Sequence, residues 1–172
     1  MALLPIITAP DPRLRVKSEP VDHVDDKLRA FMDDMLETMY AAPGVGLSAI
    51  QVGVAKRVMV VDCAPDGQPA APLYLVNPEI VSSSEVLRIY EEGCLSLPEQ
   101  YAEVERPDTI EVRYLDRDGA EQVLRADGLL ATCIQHEMDH FDGVLFVDHL
   151  STLKRNIILR RLKKAKKLKA TG

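Results

Sequence analysis

Within His136-Glu137-Met138-Asp139-His140, two imidazoles stand four residues apart with a carboxylate between them. On a helix, residues four apart lie one above the other on the same face. Two histidines so placed can grip one metal ion, and the intervening Glu137 can reach a water bound to it. The pattern is short and also arises in helices without metal. Here it lies among Leu129, Leu130, Ile134, Met138 and Phe141. In such an apolar setting two histidines need partners, because unpaired polar groups are costly there. The chemistry implied is metal-assisted hydrolysis, with Glu137 as acid/base.

A catalytic site of this kind usually has three protein ligands plus water. Cys133 shares the histidine stripe, but it stands seven residues from His140, a rise of roughly 10 Å. It reads as a small buried apolar residue. Cys63 follows a strand, has no neighbouring chemistry in the sequence and reads as structural. Cys94 sits in Glu91-Glu92-Gly93-Cys94-Leu95-Ser96-Leu97-Pro98, where Gly93 permits close backbone approach and Pro98 stiffens the exit. A thiolate is a strong ligand for zinc or ferrous iron, although Cys94 taken alone also reads as an ordinary turn cysteine. Gly44 and Gly46 invite a phosphate-loop reading, but the Gly-Lys-Ser/Thr that a Walker loop requires does not follow. They suit a backbone edge on which a peptide could pair as an added strand.

Three helices must carry or flank these residues. Leu28, Phe31, Met32, Met35, Leu36 and Met39 recur at three- and four-residue spacing, which predicts an amphipathic helix over 25–40 ended at Pro43-Gly44. Residues 128–141 read as a buried helix, and Ser151 can cap a last helix running to about Lys169. Val58–Val61 reads as a buried strand, and Leu73–Val76 and Glu79–Val81 as strand pieces around Asn77-Pro78. Thr109–Leu115 and Gln122–Arg125 form a hairpin through Asp116-Arg-Asp-Gly119. Strands dominating the first two thirds, with helices spread along the chain, predict an α+β fold of mainly antiparallel small sheets. Without repeats or a low-complexity linker, residues 1–172 read as a single catalytic domain, with a basic C-terminal helix from about Ser151.

The chain has 47% hydrophobic and 28% charged residues, which suits a folded protein and excludes a disordered one. Three cysteines are too few for a disulfide scaffold and favour a reducing compartment. No signal peptide is readable, and no apolar run approaches the roughly 18 residues of a membrane span. The expected location is therefore cytoplasmic, with no membrane partner. The net charge of −6 conceals an asymmetry: residues from 151 onward carry nine Lys/Arg and no acid, leaving the first 150 at −15. The basic tail can dock on the acidic body or be drawn to RNA phosphates. Nothing points to specific DNA recognition.

Three blocks together resemble the peptide deformylases: Gly44-Val-Gly-Leu-Ser-Ala-Ile-Gln51, Glu92-Gly-Cys-Leu-Ser-Leu-Pro98 and Gln135-His-Glu-Met-Asp-His140. Their order and spacing fit, and the resemblance covers nearly the whole chain. It implies removal of the formyl group from the formyl-methionine of newly made proteins. It further implies Cys94, His136 and His140 as ligands of one divalent ion, ferrous iron physiologically, with zinc, nickel or cobalt possible in preparations. Glu137 would act in catalysis, while Gln51 and the backbone N–H of Leu95 would stabilise the oxyanion. Val45, Gly46, Tyr90, Glu92, Gly93, Leu129, Thr132 and Cys133 would contact the substrate, several of them walling an apolar methionine pocket. In related bacterial enzymes a basic C-terminal helix contacts the ribosome, which makes the ribosome an expected partner here. Two departures stand out. Ser48 replaces a common alanine, a small-for-small change expected to have little effect. Tyr101 stands where some members have an arginine that holds the substrate backbone. Rival readings are a metalloprotease, a cysteine hydrolase using Cys94, and a structural metal site in an RNA-binding module.

Overall fold

The computed structural model describes residues 2–171. Three helices are set around two antiparallel sheets, in agreement with the α+β expectation. Helix α1 (Asp26–Ala41) begins at Asp25, whose carboxylate accepts from the Leu28 N–H at 2.8 Å. That bond satisfies one of the helix's orphan donors. Its expected apolar stripe buries Met32, Met35 and Met39 against β1 (Gly46–Ser48) and β2 (Val58–Val61).

The larger sheet has the order β1-β2-β3-β6-β7, with β3 at Leu73–Ser83, β6 at Thr109–Leu115 and β7 at Glu121–Asp127. All its pairings are antiparallel. The two strand pieces expected around Asn77-Pro78 form one continuous β3. The ladder shifts register between Val76 and Glu79, where Asn77 adopts φ +52°. Asn77 tolerates that backbone because its side chain bonds both the N–H and the C=O of Val21, each at 2.8 Å.

The smaller sheet pairs β4 (Leu87–Cys94) with β5 (Leu97–Pro107). Sequence reasoning did not find this hairpin, for a physical reason. In β4 the alternating apolar residues Leu87 and Ile89 face outward and are 51% and 58% exposed. The opposite face carries Tyr90 and the buried Glu92 toward the site.

Helix α2 (Gly128–His140) lies across the larger sheet, with Ala131, Ile134 and Phe141 packed against Met59, Val61, Leu75, Ile110 and Val112. Every residue from Ala131 to Glu137 is buried. Helix α3 (Thr152–Thr171) starts after Ser151, whose hydroxyl accepts from the Lys154 N–H at 3.3 Å. Of its apolar residues, Ile158 and Leu162 are buried against Leu14, Leu145 and Phe146, whereas Ile157 and Leu168 are exposed. Asp148 secures the junction by bonding both Arg15 and Arg155. Among the described residues, no helix is long and apolar enough to cross a membrane.

Candidate metal centre and catalytic cleft

The i,i+4 spacing of His136 and His140 places their rings on one face of α2, edge to face with centroids 5.2 Å apart. The end of β4 brings Cys94 to the same place, with its Sγ 3.5 Å from His140 Nε2. One ligand atom from each of Cys94, His136 and His140 lies within 4.8 Å of the others. A thiol and two imidazoles are donors that zinc and ferrous iron accept. Their convergence in a nearly sealed place fits a metal ion better than it fits three unrelated core residues.

The two imidazoles are prepared differently. Burial drives the His140 pKa well below its ordinary value, and the charges of His136 and Arg106 push the same way. The neutral ring is the form that ligates metal. Burial also opposes a charged His136, but interactions in which Cys94 and Glu92 accept from its ring, together with the Glu137 charge, outweigh it and hold its pKa well above the ordinary value. Glu92 accepts from His136 Nδ1 at 2.9 Å, which leaves Nε2 directed toward the other donors. The same carboxylate takes two bonds from Arg106, at 2.7 and 3.0 Å. Burial would raise the Glu92 pKa, yet His136 and Arg106 together lower it. Glu92, expected to contact the substrate, borders the cleft, and both its oxygens are engaged by protein groups. Arg106 was missed in the sequence because it lies on another strand, fourteen positions from Glu92.

Glu137 faces the same centre, with carboxylate oxygens 4.0 Å from His136 Nε2 and 3.9 Å from His140 Nε2. Burial pushes its pKa up to about 7. A carboxyl poised there can both take and return a proton near neutrality. Gly46 makes room for it: a Cβ at that position would stand 2.9 Å from Glu137 Oε2. The Ser48 hydroxyl donates to the Glu137 carbonyl oxygen at 2.8 Å and lies 3.3 Å from Oε1. Serine in place of the common alanine, expected to have little effect, adds a hydroxyl that meets the candidate acid/base.

Gln51 is oriented by its own strand-to-turn junction. Its Oε1 accepts from the Ser48 N–H at 2.9 Å, so its amide N–H groups point the other way. They reach Ser96 Oγ at 3.0 Å and Cys94 Sγ at 3.5 Å. A neutral donor held beside the ligands can receive charge developing on a carbonyl oxygen.

A cleft of about 580 Å³ opens over these groups. Val45, Gly46, Gln51, Tyr90, Glu92, Gly93, Cys94, Leu95, Leu129, Thr132, Cys133, His136 and Glu137 all line it; His140 lies beneath. Tyr101 also borders the cleft, and its ring packs where a side chain on Gly93 would sit. Cys63, read as structural, has its pKa lowered chiefly by the neighbouring Cys133 side chain, against the effect of burial. Strand β1 is the end strand of its sheet, so one backbone edge beside the cleft is left for an added strand.

The chain is similar to known proteins over nearly its whole length. Residues 3–156 match the family described as polypeptide deformylase. The chain is 56% identical over 167 residues to the peptide deformylase of Rhizobium meliloti (strain 1021), covering 97% of this chain and 96% of that one. It is 56% identical over 164 residues to the peptide deformylase of Brucella suis biovar 1 (strain 1330), covering 95% and 94%. Among solved structures, it resembles the Ehrlichia chaffeensis peptide deformylase in complex with actinonin. That match has TM-score 0.91, 43% identity and coverage of 96% and 98%. The Legionella pneumophila enzyme matches with TM-score 0.90, 45% identity and coverage of 99% of both chains.

Proposed function

The chain belongs to the polypeptide deformylase family, and on that premise we propose that it hydrolyses the N-formyl group from formyl-methionine at the start of newly made polypeptides. The observation that carries this reading is the convergence of Cys94, His136 and His140 within 4.8 Å, beside Glu137 and Gln51, at the floor of a peptide-sized cleft. Cys94, His136 and His140 would hold a divalent ion, which would supply Lewis acidity and lower the pKa of water. Ferrous iron is the proposed physiological ion, with zinc, nickel or cobalt able to take its place. The thiolate and two imidazoles suit all four.

The chain's own groups account for the remaining chemistry. An extended substrate pairs along the free edge of β1 near Gly46, while its methionine side chain enters the pocket bounded by Val45, Tyr90, Leu129, Thr132 and Cys133. Gly93 lets the Tyr101 ring pack close against β4 at the rim of the cleft, where it would border the substrate backbone. As the formyl carbon becomes tetrahedral, the Gln51 amide and the Leu95 N–H donate to its oxygen. Glu137 accepts a proton from the attacking water and delivers it to the departing amine. The Glu137 carboxyl, its pKa pushed up to about 7 by burial, suits both proton transfers.

Residues 1–172 act as one catalytic domain in the cytoplasm. The exposed cations of α3, including Arg160, Arg161, Lys163 and Lys164, form the proposed ribosome contact. Replacing these four by glutamine should weaken salt-sensitive ribosome binding while leaving peptide turnover intact. Deleting α3 would be a poorer test, because Ile158 and Leu162 belong to the core.

The decisive assay measures formate release from a formyl-Met-Ala-Ser peptide by anaerobically purified enzyme, alongside acetylated and unblocked peptides. Release only from the formylated peptide, abolished by chelation, is the expected result. Cleavage confined to internal bonds would overturn the proposal in favour of a protease. Chelator-insensitive turnover through an acyl-Cys94 intermediate would overturn it in favour of a cysteine hydrolase.

A further inference from the structure

The bonds that orient His136 continue well past Glu92. Arg106 holds Glu92 with Nε and Nη2, and its Nη1 donates to Asp139 Oδ2 at 2.9 Å. The same Asp139 oxygen accepts from His149 Nε2 at 2.8 Å. His149 is 38% exposed, whereas Arg106 and Glu92 are 6% and 4% exposed, so the chain runs from the surface to the buried centre. The charges of its three central members alternate: Asp139 is negative, Arg106 positive and Glu92 negative. Because both carboxylates are acceptors, His149 Nε2 and His136 Nδ1 must each carry a hydrogen.

His149 closes the 3-10 turn Phe146–His149, and that turn touches the centre by a second route. The Phe146 ring stacks on the His136 ring, with centroids 6.1 Å apart and planes 26° apart. One short turn therefore packs on the face of His136 and supports its hydrogen-bond partners. Arg106 needs both of its carboxylates. With Asp139 disengaged, only the two bonds to Glu92 would hold the guanidinium, and the loss of its third anchor would loosen the position of Glu92 against His136.

We infer that His149 and Asp139 are positioning residues for the metal centre, acting on His136 through Arg106 and Glu92. The inference rests on the metal reading of Cys94, His136 and His140. Asp139 lies within the histidine motif but points away from the ligands. His149 lies nine residues beyond the last of them. Neither is a ligand, and neither borders the cleft.

The test uses the full-length chain loaded with Co²⁺, whose visible absorption reports ligand geometry. His149→Phe keeps a ring but removes the donor, and His149→Gln restores an N–H at similar reach. Groups directly bonded to a ligand histidine affect metal affinity by roughly 10- to 100-fold, so a group three links further out should affect it by about 3- to 10-fold. His149→Phe should weaken Co²⁺ binding by that amount and shift the visible bands. His149→Gln should return both to within about twofold of wild type. Thermal unfolding of the metal-free proteins separates this effect from general destabilisation, since only a positioning role predicts rescue of the spectrum by glutamine. A His149→Phe protein with unchanged Co²⁺ affinity and spectrum overturns the inference and leaves the metal reading standing. So does an altered spectrum that glutamine fails to rescue. A wild-type chain that does not bind Co²⁺ overturns both.

Discussion

Substituting Glu92 by glutamine tests whether the buried charges serve the metal or merely the fold. The glutamate accepts three bonds, two from Arg106 and one from His136, all between 2.7 and 3.0 Å. Glutamine has the same shape but offers one acceptor oxygen and one donor nitrogen. At least one of the three N–H groups must then face another donor. Arg106, 6% exposed, also loses one of its two carboxylates. Breaking one partner of a buried ion pair typically costs about 3–5 kcal/mol. Asp139 remains to balance Arg106, so the lower end, about 3 kcal/mol, is expected. For a chain of this size, that corresponds to a Tm lowered by roughly 6–12 °C. Metal affinity should fall by roughly 10- to 100-fold because His136 loses its orienting acceptor.

The double variant Glu92→Met/Arg106→Met separates the two effects. Replacing a buried pair by apolar groups of similar volume is often neutral or stabilising. It should therefore recover most of the lost stability while leaving metal affinity weak, since His136 Nδ1 still lacks an acceptor. Urea unfolding of the metal-free proteins and competitive Co²⁺ titration give the two quantities. A Glu92→Gln protein within about 1 kcal/mol of wild type would refute the claim that the pair is sealed from water. A double variant that regains metal affinity together with stability would refute the orientation argument.

Other outcomes follow from the same geometry. Gly46→Ala places a Cβ 2.9 Å from Glu137 Oε2 and 3.1 Å from its carboxyl carbon. It should cut kcat at least about tenfold by displacing the acid/base, while Co²⁺ titration shows the ligands still competent; full activity would mean that Glu137 can move without consequence. Ser48→Ala removes the hydroxyl bonded to Glu137, at an expected cost of about 1 kcal/mol in stability and several-fold in kcat with KM little changed. Equal kcat and equal unfolding curves would restore the view of these residues as equivalent. Asp148 has a pKa lowered to about 2: burial opposes the shift, but Arg15, the Leu145 N–H and Arg155 outweigh it. A depressed folded-state pKa stabilises the fold above the ordinary carboxylate value of 3.8, and the contribution is lost as pH falls toward about 2. Its side chain is 23% exposed, so about 1–2 kcal/mol is a reasonable magnitude after screening. Asp148→Asn should be less stable than wild type by that amount at pH 7, and the gap should close near pH 2. A gap that persists unchanged at pH 2 would show that its origin is not the carboxylate charge.

The helices and much of the larger sheet were legible because their signals are local. The spacing of Met32, Met35 and Met39 marked the buried stripe of α1, and Thr109–Leu115 with its Asp116–Gly119 turn marked a hairpin. The hairpin of β4 and β5 was not legible. Its inward face is occupied by the groups of a polar site, so the usual inference from apolar alternation points the wrong way for Leu87 and Ile89. The exposed and buried residues of α3 were likewise undivided in the sequence, since only contact with Leu14 and Phe146 selects Ile158 and Leu162.

The sequence by itself determined that two imidazoles and a carboxylate share one helix face, because 3.6 residues per turn converts a spacing of four into proximity. Together with the blocks at Gln51 and Cys94, it also carried the resemblance that named the reaction. Only the tertiary structure decided which atoms meet: Cys94 with His140 across 46 positions, Ser48 with Glu137 across 89, and Glu92 with His136 across 44. Hydrogen bonds act over about 3 Å and burial depends on every neighbouring element. Neither is encoded at any fixed sequence spacing, so the partners that set the site's protons and orient its ligands appear only once the strands and helices are packed.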